Sequence, residues 1–94
     1  MNKQDIKKDQ LVYYLDKVYK DGHVIGGSVY KAIILQEKIG FPIACEDKCQ
    51  IKILFNNQVM WVSLDDLYAN ELPAITASLD ILQKAHKYDG ETTN

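Results

Sequence analysis

At 94 residues the chain is long enough for one modest hydrophobic core and too short for two. Its net charge of −2 offers no global basic field for nucleic acid, and it has no arginine, the usual bidentate reader of guanine and phosphate. No apolar run approaches the length of about 18 residues that a membrane-spanning helix needs.

Charge is unevenly spread. Residues 1–52 hold nine lysines and seven acids, and residues 53–94 hold two lysines and six acids. The opening MNKQDIKKDQ is polar and has no apolar signal core. With two cysteines in such a chain, free thiols in a reducing cytoplasm are expected. Lysine, asparagine and isoleucine in place of arginine fit an AT-rich bacterial genome.

In chain order, residues 6–20 read as a helix, because Leu11, Leu15 and Val18 recur at helical spacing and Asp21-Gly22 reads as a stop. HVIGG (23–27) is a short extended piece. Residues 28–40 admit two readings. Ser28 as N-cap, Gly40 as C-cap and Pro42 beyond it favour a helix, whereas Tyr30 to Leu35 is rich in strand formers. Pro42 opens a short helix to about Gln50. Residues 50–63 form a hairpin about Asn56-Asn57, pairing Leu54 with Val59 and Lys52 with Trp61. One face, Ile51, Ile53, Phe55, Met60 and Val62, is predicted core. The other carries Lys52, Leu54, Val59, Trp61 and Ser63. Ser63-x-x-Asp66 has capping spacing and predicts one helical turn. A last helix spans about residues 73–87, with one stripe of Ile75, Leu79 and Leu82 and a second of Ala74, Ala77, Ile81 and Ala85. A helix apolar on two sides points to a homodimer contact through Ile75, Leu79, Ile81 and Leu82. Residues 1–88 form one domain and 89–94 a disordered tail.

Catalytic signals are sparse. Cys45 and Cys49 lack two further ligands at zinc spacing and have no histidine beside them in sequence. Asp65-Asp66 reads as capping, His86 as a last-turn residue, His23 as a loop residue and Gly26-Gly27-Ser28 as a turn. A non-enzyme with no cofactor and no metal is expected.

The order helix, extended piece, helix, short helix, hairpin, helix resembles a winged helix-turn-helix DNA-binding domain, within an α+β class. LQEKIGFPIACEDKC (35–49) carries the turn pattern Leu35, Ile39, Gly40, and the hairpin takes the place of the wing. The resemblance spans about residues 11–63. It implies duplex DNA contacts at Lys48 and Gln50 of the short helix and at Lys52, Asn56, Asn57 and Gln58 of the wing. Lys38, with Lys3, Lys7 and Lys8, would meet phosphates. The implied protein is a dimeric regulator or accessory factor of a mobile genetic element such as a plasmid or phage.

If Ser28 to Leu35 is instead a strand, the middle of the chain becomes a small SH3-like barrel flanked by helices, closed by LDDLY (64–68). Such barrels are expected to bind protein partners through an aromatic groove, here Tyr30, Trp61 and Tyr68.

Overall fold

The computed structural model describes residues 1, 5–36 and 48–92, with the backbone alone for 86–92. Among the described residues, five strands, β1 (Leu11–Lys20), β2 (His23–Gln36), β3 (Lys48–Ile53), β4 (Val59–Ser63) and β5 (Leu67–Tyr68), precede one helix, α1 (Glu71–Thr92). The protein is a mixed α+β domain with a single antiparallel sheet in the order β4-β3-β2-β1-β5.

Two expected helices are strands: residues 11–20 form β1, and residues 28–36 belong to β2. In β1 the buried inner row is Val12 and Tyr14, an alternation of period two, and the segment is rich in valine and tyrosine. Asp21-Gly22 does not stop a helix. It is the two-residue turn of a hairpin, with both residues at positive φ (52° and 81°), flanked by the pair Lys20 and His23. Residues 23–36 form one long strand in which Ala32 and Ile34 point into the core. Residues 48–50, expected to end the short helix from Pro42, begin β3, and the rest of that helix lies outside the described residues.

The β3–β4 hairpin exists, but its pairing is displaced by two residues. Lys52 faces Val59, Ile51 faces Met60 and Gln50 faces Trp61. The connection is therefore longer than Asn56-Asn57. The Ile53 amide donates to the Gln58 carbonyl at 2.8 Å, Asn57 takes the positive φ of 57°, and the Gln58 amide donates to the Asn56 side-chain oxygen at 3.0 Å. A shift of two leaves every side chain on its original face. Ile51, Ile53 and Val62 are accordingly buried, joined by Cys49, while Phe55 falls into the turn and is 74% exposed.

The edge strands β4 and β5 are joined by a single 3₁₀ turn, Leu64–Asp66, capped by Ser63, whose hydroxyl accepts from the Asp65 amide. This is the one helical turn expected there. In a flat sheet, four strand spacings would separate those edges by ~19 Å. Three 3₁₀ residues advance ~6 Å. The sheet must curl so that its edges approach at this turn, and one core cluster accordingly draws Val12, Ile34, Ile51, Val62 and Leu67 from all five strands.

Helix α1 packs outside this curled sheet, against β2, β1 and β5. Its small-residue stripe faces inward. Ala74 is fully buried, while Ala77, Ser78, Ile81 and Ala85 are half-buried. Leu15 is buried yet lies on the opposite side of β1 from Val12 and Tyr14, so it belongs to this outer seam. Across from it Gly27 leaves the needed room, since a Cβ there would sit 2.8 Å from Leu15 Cδ1. The helix backbone continues to Thr92, past residue 88 where the sequence ends the domain.

Candidate binding site

The site is the end of the curled sheet where the inward rows run out of core. Along β1 the inward positions are Val12, Tyr14 and Asp16, and their β2 partners are Ala32, Tyr30 and Ser28. The lining thus passes from aliphatic through aromatic to polar within three cross-strand pairs. Along β3 the inward row Cys49, Ile51, Ile53 continues into Phe55 at the turn. The rings of Tyr30 and Phe55 stack with centroids 5.6 Å apart and planes at 16°. The Leu54 amide donates to the Lys31 carbonyl at 3.0 Å, which holds the turn against β2.

This wall of two rings separates two hollows. One, of about 120 Å³, is the mouth of the sheet, lined by Tyr14, Asp16, Tyr30, Ile53, Phe55, Asn56, Gln58 and Met60. The other, of about 470 Å³, is shallow and mainly apolar, lined by Val29, Tyr30, Lys31, Leu54 and Phe55. The mouth holds roughly four waters' worth of space, well short of the several hundred Å³ of a cofactor pocket. It suits the head of one side chain.

The electrostatics at the mouth are negative. Burial pushes the Tyr14 phenol up from its ordinary 10.0, and the charges of Asp16 and Asp66 add to the effect. Asp66 is itself paired to Lys17 at 2.9 Å, and that hydrogen bond holds the lysine's pKa above 10.5. Asp16 is exposed and has no ion-pair partner among the described residues. At the far end of the sheet the Cys49 thiol donates to the Gln36 carbonyl at 3.4 Å, and burial raises its pKa.

The residues singled out in the sequence divide among several places. Lys48, Gln50 and Lys52 alternate along the outer face of β3, half-buried, with Trp61 opposite Gln50. Asn56 and Gln58 line the mouth and Asn57 lies between them in the turn. Lys38 lies outside the described residues, as does Cys45. Of the expected aromatic groove only Tyr30 lines either hollow. Trp61 is on β4 and Tyr68 on β5, paired with Tyr13. On α1, Leu79 and Leu82 face water, whereas Ile75 and Ile81 are half-buried, so the four do not make one exposed face. Tyr14, Asp16 and Phe55 were missed as site residues. The sequence signal for two of them was the Asp-Gly hairpin, which sets Tyr14 opposite Tyr30 and Asp16 opposite Ser28.

Comparisons of the chain with protein-family models, with curated proteins and with solved structures give no match. Among the described residues no helix is long and apolar enough to cross a membrane.

Proposed function

We propose that this protein is a small non-enzymatic interaction module of the SH3-like barrel type, which binds a segment of a partner protein at its aromatic mouth. The four-strand meander, the 3₁₀ turn after β4 and the return of β5 beside β1 support the barrel reading. The observation that carries the function is the stacked Tyr30–Phe55 wall. Phe55 is 74% exposed, held on a turn tied to β2, with a hollow on either side. A large ring left in water at the rim of a concavity is an anchor for a ligand rather than a support for the fold. The test is selection of random displayed peptides on the intact chain, followed by binding of each peptide to Phe55→Ala. Peptides that bind the parent and lose the variant support the module. A selection that returns no Phe55-dependent peptide removes it.

A second reading, contact with duplex DNA, is favoured by the alignment of Lys48, Gln50 and Lys52 on one face of β3 beside Trp61. Lysine at phosphates gives affinity that falls with salt. Titration onto duplex DNA at two salt concentrations, with and without Lys48→Glu and Lys52→Glu, tests it. Absence of binding at low salt excludes it.

A further inference from the structure

The ligand class of the mouth follows from its lining. We propose that the mouth is a receptor for one basic side chain, a lysine or arginine of the partner segment, held over the aromatic wall with its charge against Asp16; this rests on the interaction-module reading above. Three observations converge on it. Among the described residues, the only charged group lining the mouth is the Asp16 carboxylate, on the same inward row of β1 as Tyr14 and two residues beyond it. The walls are rings, whose faces carry partial negative charge and attract cations. The volume of about 120 Å³ admits a side-chain head but not a ring system.

An anion is disfavoured by the same carboxylate. A purely apolar head would meet the rings but leave the Asp16 carboxylate at the rim without a partner. A basic side chain satisfies both, because its aliphatic stem lies on the rings while its charged end reaches the carboxylate at the rim. The neighbouring hollow has the opposite character. Among the described residues its single charge is Lys31, and the rest of its lining is Val29, Leu54 and the two rings. A segment crossing the Tyr30–Phe55 wall therefore places a basic residue on one side and a large apolar residue on the other.

The experiment titrates the amides of N-acetyl-lysine, N-acetyl-arginine and N-acetyl-norleucine into the full chain and follows backbone amide shifts. Norleucine has the stem without the charge, so it measures the apolar contribution alone. The lysine or arginine probe is expected to shift Asp16, Tyr30, Phe55 and Asn56 and to bind about fivefold more tightly than norleucine. Whichever of the two binds better identifies the side chain. Asp16→Asn is expected to bring the basic probes down to the norleucine level while the spectrum stays dispersed, since Asp16 is exposed and supports no described contact of the core. Equal binding of norleucine, unchanged binding by Asp16→Asn, or no shift at the mouth with any probe overturns the proposal. The peptide selection separates its failure from that of the module. Phe55-dependent peptides without enriched lysine or arginine leave the module standing and remove the cation receptor, whereas peptides indifferent to Phe55 remove the module itself.

Discussion

The mouth of the sheet and the outer face of α1 both leave large apolar side chains in water, Phe55 at one and Leu72, Leu79 and Leu82 at the other. The mouth is concave, its rings are fixed by stacking and by a backbone hydrogen bond, and a carboxylate stands at its rim. The leucine face is a convex row on one helix, and Asp80 and Lys84, beside Leu79 and Leu82 in the chain, pair with each other at 3.0 Å. Apolar area alone does not select a partner, because the hydrophobic effect is non-directional. Shape and a placed charge do. On the proposed reading, recognition falls to the mouth, and α1 is a packing element whose small-residue stripe faces the sheet.

Both surfaces depend on what lies beneath them, and the largest expected effect is at that level. Ile53 is buried in the core and also lines the mouth. Ile53→Ala should cost about 2–5 kcal/mol of stability and weaken peptide binding as well, measured by urea unfolding and by titration. A stability loss with binding intact would show that the mouth does not rest on the core. Next comes Phe55→Ala, expected to lose about 2 kcal/mol of peptide affinity while the thermal midpoint stays put, because the ring is mostly in water. Leu82→Ala should do neither. If Leu82→Ala rather than Phe55→Ala abolished binding, the two surfaces would exchange roles.

The seam under α1 is tested by Ala74→Leu. Ala74 is fully buried, and overpacking there should cost about 1–3 kcal/mol in unfolding experiments. No cost would mean that α1 is not seated on the sheet. A smaller effect is expected from alkali. Cys49, Tyr14 and Lys17 all have folded pKa values raised above their ordinary 9.0, 10.0 and 10.5, the first two chiefly by burial and the lysine by its hydrogen bond to Asp66. In each case the folded state holds the proton longer than the unfolded chain, so stability falls as pH rises. The lysine's contribution is complete below its unfolded pKa and is lost as pH passes the folded value. The urea midpoint should therefore be flat through neutrality and decline from about pH 9 upward, with Cys49→Ala removing the earliest part of the decline. A midpoint that rises in that range would contradict the burial of these groups.

The legible parts of the fold were those where one local rule acted alone. The apolar alternation of 51–62 marked Ile51, Ile53 and Val62 as core even with the register displaced, because a shift of two preserves sidedness, whereas Phe55, expected on the same face, falls in the turn and is exposed. Ser63 and the α1 stripes were legible for the same reason, through capping spacing and helical period. Residues 6–20 were not, since Leu11, Leu15 and Val18 match a helical period while Val12, Tyr14 and Asp16 match a strand, and only the Asp-Gly turn arbitrates between them. The mouth was hidden further. Tyr14 and Tyr30 meet through the register that the Asp-Gly turn sets, but Phe55 joins them from the β3–β4 turn, and no spacing in the sequence announces that contact.

The smallest expected effect is also the sharpest test of the leucine face. A stable association of two copies buries roughly 800 Å² on each partner. Leu72 is 73% exposed and Leu79 and Leu82 just over half, and three such side chains on a convex helix supply well under that area. Ile81, which would extend the patch, is half-buried in the stripe that faces the sheet. The chain should therefore scatter light as a 10.7 kDa monomer at micromolar concentration, and Leu79→Ser with Leu82→Ser should leave both mass and peptide affinity unchanged. A dimer mass that reverts to monomer in that double variant would place a second copy on α1. The mouth would then be presented twice, and avidity would replace single-site affinity as the quantity that recognition depends on.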